Sequence, residues 1–361
     1  MRNRPTALVL YNWRGQWPMR RWEHQRIFAW KTYFPGRVVF LNIGFPFSPA
    51  WITQLDPELV LVDATALTAR YTRVGLGGLR RAMEAAPARA RRVAAPLDEF
   101  LGLQSLRDVL VETRIDLLLT ALEPALWDSV YPTVQRPFAL RRFLTSYIDD
   151  RLMRRASSDL DRRSIAVSYR AWEAPAWLGE MGALKREVGL RASDWARARG
   201  HRADVAVDGE RRLAGEAWIR LLAASRAVVG VEGGSSLVDP TGVLPTGAPP
   251  PPGGEGWTPP DSVIALEPEA EIRAMSPRHL EAAATRTFQV LVEGGYSGVL
   301  EAGVHYQPVR RDLSDIEAAL DLSRDPRHAQ AMVDRAHAEI VASGRYSWRT
   351  VVREIADQVL A

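Results

Sequence analysis

Short runs of aliphatic and β-branched residues alternate with longer amphipathic segments along the first 120 residues. This alternation predicts strands joined by crossover helices. The runs are almost continuously apolar, which favours a parallel sheet that is covered on both faces. The five predicted strands are residues 7–11, 37–41, 59–62, 92–95 and 115–119.

The second half of the chain repeats this pattern, with predicted strands at residues 165–169, 203–207, 227–231 and 288–292. The pattern predicts an α/β protein with two Rossmann-like domains whose parallel sheets face a central cleft. Charged residues around positions 149–163 mark the boundary. We therefore expect a first domain over residues 1–155, a second over 156–345, and an amphipathic C-terminal helix within 346–361.

Residues 243–260 are dominated by proline and glycine and include four consecutive prolines at positions 249–252. Proline lacks the backbone N–H that helices and sheets require. We therefore predict an irregular surface loop inside the second domain. It follows Glu232 closely enough in sequence to be a candidate for gating a site there.

Composition and charge narrow the functional classes. The chain has 361 residues, 47% of them hydrophobic, and no cysteine, which excludes disulfides, thiolate metal sites and cysteine nucleophiles. Its first apolar stretch, residues 7–10, is too short for a signal peptide or membrane span, so we expect a cytoplasmic protein. The net charge of +4 comes from dispersed arginines. It suits a phosphate-bearing ligand or an anionic membrane surface better than a nucleic acid.

One predicted strand ends in a carboxylate, two glycines and two hydroxyls. The residues are Glu232, Gly233, Gly234, Ser235 and Ser236. Ligands of open α/β sheets bind beyond the carboxyl ends of strands, where glycines allow close approach to backbone N–H groups. Glu232 is therefore a candidate for binding sugar hydroxyls. A glycine turn with a solvated glutamate is the alternative interpretation.

A second cluster begins at Ser276, a residue suited to cap a helix that starts at Pro277. Arg278 and Glu281 are three residues apart and share one face of this helix. A capped helix with an internal ion pair is the alternative to a binding role.

Two cations in the second domain are candidates for neutralising a diphosphate. Arg170 follows a predicted strand, and Lys185 lies where the next helix could bring it alongside. Stabilising a diphosphate leaving group is the main electrostatic task in sugar transfer from a nucleotide. Solvated surface charge is the alternative interpretation.

The first half offers three further candidates. Asp98 and Glu99 follow a predicted strand, and His24 lies in the helix expected after the first strand. A carboxylate at a strand end can bind an acceptor or serve as a general base, although structural roles are common.

The six histidines show no His-x-x-x-His spacing, so a metal-independent mechanism is expected.

Taken together, these residues resemble retaining GT-B glycosyltransferases, in particular the family-1/CgeB-like group of bacterial surface-polysaccharide glycosyltransferases. The resemblance spreads over most of the chain. It is carried by residues 97–100 (LDEF), 144–149 (LTSYID), 169–170 (YR), 177–179 (WLG), 185 (K), 231–236 (VEGGSS), 276–282 (SPRHLEA), 296–300 (YSGVL) and 305–306 (HY).

The resemblance implies transfer from a nucleotide-sugar donor, with retention, to a glycan or lipid-linked acceptor, and no other cofactor. It implies that Arg170 and Lys185 bind the diphosphate, that Glu232 binds the sugar and Glu281 the ribose, and that the C-terminal helix can cross back to the first domain. It is also compatible with peripheral contact between the protein and the inner membrane. The chain departs from the family in the spacing of the two glutamates, which 48 residues separate instead of the usual seven, and in Ser146 in place of glycine and Pro240 after Asp239.

Two other classes of protein compete with this interpretation. A nucleotide-sugar or glycan-binding protein could keep the fold without turnover, and it would bind donor but release no nucleotide. A Rossmann oxidoreductase is disfavoured, because no Gly-x-Gly-x-x-Gly follows the first strand of either domain.

Overall fold

The computed structural model describes residues 4–15, 17–71, 75–155, 157, 159–172, 174–208, 211, 213–246 and 257–361. The strands are β1 (Thr6–Tyr11), β2 (Arg37–Asn42), β3 (Leu59–Asp63), β4 (Arg91–Ala95), β5 (Leu117–Thr120), β6 (Ala139–Arg142), β7 (Ile165–Arg170), β8 (Ala203–Ala206), β9 (Ser225–Gly230), β10 (Gly233–Ser235), β11 (Leu237–Val238), β12 (Ile264–Ala265), β13 (Ile272–Ala274), β14 (Phe288–Val292) and β15 (Gln307–Val309). The helices are α1 (Arg21–Tyr33), α2 (Pro49–Leu55), α3 (Ala64–Leu67), α4 (Gly77–Ala85), α5 (Leu103–Glu112), α6 (Trp127–Val130), α7 (Asp150–Met153), α8 (Gly179–Ala198), α9 (Glu216–Ala224), α10 (Val243–Thr246), α11 (Pro277–Ala284), α12 (Ile316–Leu322), α13 (Pro326–Ala336) and α14 (Trp348–Leu360).

The first domain is built on a parallel six-stranded sheet in the order β2-β1-β3-β4-β5-β6. Successive side chains of a strand point to opposite faces. Leu8 and Leu10 accordingly pack into one apolar cluster, and Ala7 and Val9 into another on the opposite face. Both faces are covered, as the continuous apolar runs predict.

The second domain contains a parallel five-stranded sheet in the order β15-β14-β9-β7-β8. Its core joins Tyr169 and Val229 of the sheet to Val188 and Trp195 of α8. Two small antiparallel pairs, β10 with β13 and β11 with β12, extend from this domain. The predicted α/β fold with two Rossmann-like sheets is confirmed.

The C-terminal helix α14 crosses back to the first domain. Its N-cap is Ser347, whose hydroxyl accepts a hydrogen bond from the Thr350 amide. Trp348, Val352 and Ile355 are fully buried in the cluster that also contains Ala7 and Val9. Together with α1, the helix therefore forms one of the two layers that cover the first sheet.

A segment of the second domain also packs on the first domain. We call residues 237–244 the strap. Leu237, Val238 and Leu244 of the strap belong to the same apolar cluster as Leu8 and Leu10. Both layers of the first domain are thus completed by residues from elsewhere in the chain.

The prediction of an irregular loop over residues 243–260 is wrong for its first four residues. Val243–Thr246 form one helical turn, because the carboxylate of Asp239 accepts hydrogen bonds from the amides of Val243 and Leu244. Residues 247–256, including the proline run, lie outside the described residues. Among the residues that the structure describes, no helix is both long and apolar enough to cross a bilayer.

The packing of α14 gives a stability prediction. Ile355→Ala should lower the free energy of unfolding by about 2–5 kcal/mol, because it leaves a cavity against the first sheet. Asp357→Ala, on the exposed face of the same helix, should change it by about 0.5 kcal/mol or less. Chemical denaturation of both variants checks this. Equal effects would show that α14 does not stabilise the first domain through this face.

Candidate functional site

The cleft between the domains contains a cavity of about 260 Å³ at the carboxyl ends of β4, β7 and β9. Loops that follow parallel strands meet at one edge of a sheet, so both domains contribute to its walls. Its lining includes Asp98, Phe100 and Leu101 from the first domain and Ala171, Trp172, Trp177, Lys185, Glu232, Gly233, Gly234, Ser276 and Arg278 from the second. We call it the cleft cavity.

A second cavity of about 120 Å³ adjoins the cleft cavity and shares four lining residues with it, Ala171, Trp172, Ser276 and Arg278. It continues between α1 and the second domain, where Trp218, Glu281 and Arg21 line it. We call it the side cavity. Aromatic rings and cations line both cavities.

Lys185 and Arg278 are the two cations that line the cleft cavity. No carboxylate of the described residues lies within salt-bridge distance of either one. The Lys185 ammonium donates to the carbonyl of Gly234 at 3.3 Å, and Arg278 donates to the carbonyl of Arg170 at 3.0 Å. Burial and, to a smaller extent, the Arg278 charge lower the pKa of Lys185 to about 8, while Asp98 opposes both. An anion in this cavity would relieve the repulsion.

The beginning of α11 adds to this positive region. Ser276 is its N-cap and lines both cavities, and its hydroxyl makes no capping hydrogen bond. The N-terminal end of a helix carries a partial positive charge and free N–H groups, which favour anions. The predicted helix start at Pro277 is confirmed.

Glu232 follows β9 and turns its carboxylate into a largely buried position, with 6% of the residue exposed. It accepts a hydrogen bond from the Gly295 amide at 3.2 Å, and a side chain at Gly294 would collide with its Oε2. Burial raises the pKa of Glu232, and the charge of Arg273 opposes this. Glu232 is thus a glutamate of the cavity wall rather than a solvated one.

Gly233 and Gly234 form β10, which pairs with β13 at the cavity wall. A side chain at Gly234 would meet the Ile272 carbonyl at 1.8 Å, and its φ of +119° also favours glycine. Ser235, in contrast, is fully buried and does not line either cavity. Its hydroxyl donates to the Trp177 carbonyl at 3.1 Å, so the structure gives it a supporting position.

Glu281 lines the side cavity and accepts a hydrogen bond from Trp218 Nε1 at 2.8 Å. Burial raises its pKa to about 7, although the Trp218 hydrogen bond and the charges of Arg21 and Arg278 oppose this. The alternative of an internal ion pair with Arg278 is not what the structure contains, since no such pair lies within 4 Å. Glu281 can therefore accept a further hydrogen bond from a ligand in this cavity.

Arg170 lines the side cavity but is bound to its own sheet. Its guanidinium forms an ion pair with Asp204 at 2.7 Å and donates to the carbonyls of Tyr169 and Arg211. The structure therefore does not bring Arg170 and Lys185 together in the cleft cavity. Arg278 is the cation that shares that cavity with Lys185.

The three first-domain candidates occupy different environments. Asp98 is exposed and lines the cleft cavity, where the charges of Lys185 and Arg70 favour its ionised form. Glu99 is buried away from both cavities and accepts hydrogen bonds from Thr120 and Tyr131, each at 2.7 Å. His24 is exposed beside Trp17, with ring centroids 6.2 Å apart, and lines neither cavity.

Sequence reasoning missed the carboxylate that supports β10 and β11. Glu271 is buried and accepts hydrogen bonds from Ser236 at 2.7 Å, Arg311 at 2.6 Å and Arg273 at 2.8 Å. No local sequence signal links these residues, because they come from three separated segments. Trp172 and Trp177 were also missed as cavity residues, although each follows shortly after β7.

The described residues contain no group of three or more His, Asp and Glu side chains placed to hold a metal ion. Asp159 and Asp161 have Asp-x-Asp spacing, but Asp159 pairs with Arg162 in an exposed turn. The expected independence from metal stays a prediction.

Neither a protein-family model nor a curated protein sequence matches this chain. Solved structures do. HepE of Anabaena in complex with UDP superposes with a TM-score of 0.55 at 13% identity, covering 98% of this chain and 99% of HepE. The fold is GT-B.

Two further structures agree with this assignment of the fold. An α-glucosyltransferase in complex with UDP and a 13-mer DNA has a TM-score of 0.57 at 10% identity, with 100% of both chains covered. TarM has a TM-score of 0.54 at 10% identity, and the match covers 87% of this chain but only 57% of TarM. At these sequence identities the similarity to GT-B structures establishes the fold only. The function has to be inferred from the residues that line the cleft.

The charge state of Lys185 can be measured directly, because the chain has only two lysines, Lys31 and Lys185. After reductive methylation with ¹³C-formaldehyde, the Lys185 resonance should titrate near pH 8. Inorganic pyrophosphate should move this midpoint upward, since an anion stabilises the ammonium form. The α-amino group is methylated as well and also titrates near pH 8, so Lys31→Arg and Lys185→Arg together assign the signals. A midpoint above pH 10 would contradict the desolvated position of Lys185.

Proposed function

We propose that the protein is a glycosyltransferase that moves a sugar from a nucleotide-sugar donor to a glycan or lipid-linked acceptor, with retention and without a metal. The observation that carries this proposal is the pair of cations Lys185 and Arg278, held without a carboxylate partner beside the N-terminus of α11. A GT-B fold whose solved relatives include UDP complexes supports the same interpretation.

The cations would bind the donor diphosphate. Two positive charges and a helix N-terminus match the two phosphate groups, and their position in a partly enclosed cleft strengthens each interaction. During transfer, the bond between the anomeric carbon and the diphosphate oxygen breaks, and negative charge grows on that oxygen. Lys185 and Arg278 would stabilise this charge and so make the leaving group better.

The side cavity would bind the nucleoside. Glu281 can accept hydrogen bonds from the ribose hydroxyls, and the rings of Trp172 and Trp218 offer apolar surface to a base. Arg170, held by Asp204, lines the same cavity and would contribute to this end of the donor. This arrangement keeps the ribose role that the resemblance gives to Glu281.

The sugar would lie between Glu232, the amides of Gly233 and Gly234, and Asp98 on the opposite wall. Carboxylates are strong acceptors for sugar hydroxyls. In a front-face transfer with retention, the acceptor oxygen attacks the face that the diphosphate leaves, and its proton passes to the departing phosphate. Walls from both domains would keep water from competing with the acceptor.

The acceptor side of the first domain supports a glycan or lipid-linked acceptor through its exposed aromatic rings. Trp17 is 54% exposed and Phe45 is 55% exposed, and the Arg14 guanidinium lies over the Phe45 ring at 5.6 Å. Aromatic faces bind sugar rings, and apolar rings beside arginines suit an anionic bilayer surface. A cytoplasmic protein in contact with the inner membrane, acting in polysaccharide biosynthesis, fits this surface.

The cation pair gives the first functional prediction. Lys185→Ala and Arg278→Ala should each weaken donor binding about 10- to 100-fold, because each removes a charge-assisted contact to the diphosphate. Lys31→Ala and Arg353→Ala remove the same residue types from exposed positions and serve as matched controls. The measurement is thermal shift and calorimetry with UDP-, GDP-, dTDP- and ADP-sugars, followed by nucleotide release with acceptor.

Each outcome of that screen has a distinct meaning. Binding with nucleotide release supports a transferase, and the anomeric configuration of the product tests retention. Binding without release for every acceptor would favour a nucleotide-sugar-binding protein. If no donor stabilises the parent protein, or if both cation variants bind as tightly as the parent, the proposed donor site is wrong.

The second functional prediction concerns pH. Glu281 is ionised above about pH 7, and Lys185 loses its charge above about pH 8, so donor affinity should be highest between these values. Protonated Glu281 is a weaker acceptor, which explains the loss of affinity on the acidic side. Glu281→Gln should weaken binding and remove the acidic limb alone. Calorimetry with an intact nucleotide sugar checks this, and an unchanged acidic limb would exclude the ribose role.

A further inference from the structure

The strap caps a helix of the other domain. The amides of Leu103 and Gln104, in the first turn of α5, donate to the carbonyls of Asp239 at 3.3 Å and Pro240 at 2.9 Å. The Asp239 amide donates in return to the Phe100 carbonyl at 2.8 Å. First-turn amides have no partner within their own helix. The second domain therefore supplies the acceptors that α5 of the first domain lacks.

The Asp239 side chain folds the strap into the shape that makes this capping feasible. Asp239 is fully buried, and its carboxylate accepts hydrogen bonds from the amides of Gly242 at 2.8 Å, Val243 at 3.1 Å and Leu244 at 2.9 Å. Charge-assisted hydrogen bonds of this kind are strong when water is excluded. The carboxylate thus fixes the turn from which the Asp239 and Pro240 carbonyls project.

Apolar contacts hold the strap against the same part of the first domain. Leu237 and Leu244 share a buried cluster with Phe100, Leu101 and Leu103. Burying apolar side chains of this size stabilises the contact between the two segments. The strap and residues 98–103 therefore form one packed unit.

That unit contains Asp98. The amide of Leu101 donates to the Asp98 carbonyl at 3.0 Å, which closes a turn directly before the capped end of α5. Asp98 adopts a positive φ of 51° and lines the cleft cavity together with Lys185. No hydrogen bond to its carboxylate is formed by the described residues, so the backbone of this turn sets its position.

We propose that Asp239 is a positioning residue that acts through the strap to hold the Asp98 carboxylate in the cleft cavity, facing Lys185. Asp239 itself does not line that cavity. The role of Asp98 in sugar transfer rests on the proposed function, whereas the positioning does not require a donor. Arg70 also holds this turn, by donating to the Leu101 carbonyl at 3.2 Å from within the first domain.

The position of Asp98 can be read from the titration of Lys185. The charges that act on Lys185 are those of Arg278, which disfavours the ammonium form, and Asp98, which favours it; Glu232 lines the same cavity. Displacing the Asp98 carboxylate should therefore lower the titration midpoint of Lys185. Asp239 is not among these charges, so its removal should affect Lys185 only by moving Asp98.

The experiment measures the ¹³C-methyl-lysine titration in five proteins. Asp98→Asn should lower the Lys185 midpoint by about half a pH unit or more, which is about a threefold change in the ammonium equilibrium. Asp239→Asn should lower it in the same direction by at least half of that amount. In Asp98→Asn/Asp239→Asn the second change should add nothing. Asp261→Asn, an exposed residue shortly after the strap, should leave the midpoint unchanged.

A milder variant keeps the proposal testable if Asp239→Asn does not fold. Gly242 has a φ of +82° in the strap turn, so Gly242→Ala strains the backbone of that turn without removing the Asp239 carboxylate. It should shift the Lys185 midpoint downward by a smaller amount. Melting curves establish which variants are folded at the temperature of the titration.

Two results would overturn the proposal. One is an unchanged Lys185 midpoint in folded Asp239→Asn or Gly242→Ala when Asp98→Asn shifts it. The other is an unchanged midpoint in Asp98→Asn, because Asp98 would then not face Lys185. Failure to find a donor would instead count against the proposed function, since the titration needs neither donor nor turnover.

Discussion

The first sheet has two apolar faces, and the chain segments between its own strands do not cover them completely. Helix α14 completes one layer and the strap completes part of the other. Because burial of apolar surface is the dominant favourable term in folding, these two contacts tie distant parts of the chain to residues 6–142. The cleft therefore lies between domains that share hydrophobic cores. These shared cores fix the positions of the cleft walls.

The cleft cavity holds two cations that form no ion pair within 4 Å, although the carboxylates Asp98 and Glu232 line the same cavity. Elsewhere the arginines are commonly paired, as Arg170 is with Asp204 and Arg311 with Glu271. Lys185 and Arg278 are different, because burial and mutual repulsion oppose the charged form of Lys185 in the absence of an anion. Such an arrangement is unfavourable for the protein alone and becomes favourable with a phosphate group, which is characteristic of a functional site.

The sequence allowed the two sheets to be predicted because their central strands are continuous apolar runs. Strands β6 and β15 were not predicted, since Ala139–Arg142 contains two arginines and Gln307–Val309 is short and contains proline. Among the candidate site residues, Lys185, Glu232 and Glu281 line the cavities as their positions at strand and helix ends would suggest. Ser235 and Glu99 do not, because their side chains satisfy buried backbone and hydroxyl groups. Strand position alone cannot distinguish a side chain that faces a cleft from one that supports it.

The crossing of α14 has a consequence for biosynthesis. The residues that cover one face of the first sheet are separated from its first strand by more than three hundred positions, as Ala7 and Ile355 illustrate. A ribosome produces about 5–20 residues per second, so the part of that face that α14 covers stays exposed for roughly 20–70 seconds after β1 has been made. The first domain therefore completes its folding after the second has been synthesised, and its exposed sheet face is a natural substrate for chaperones during that interval.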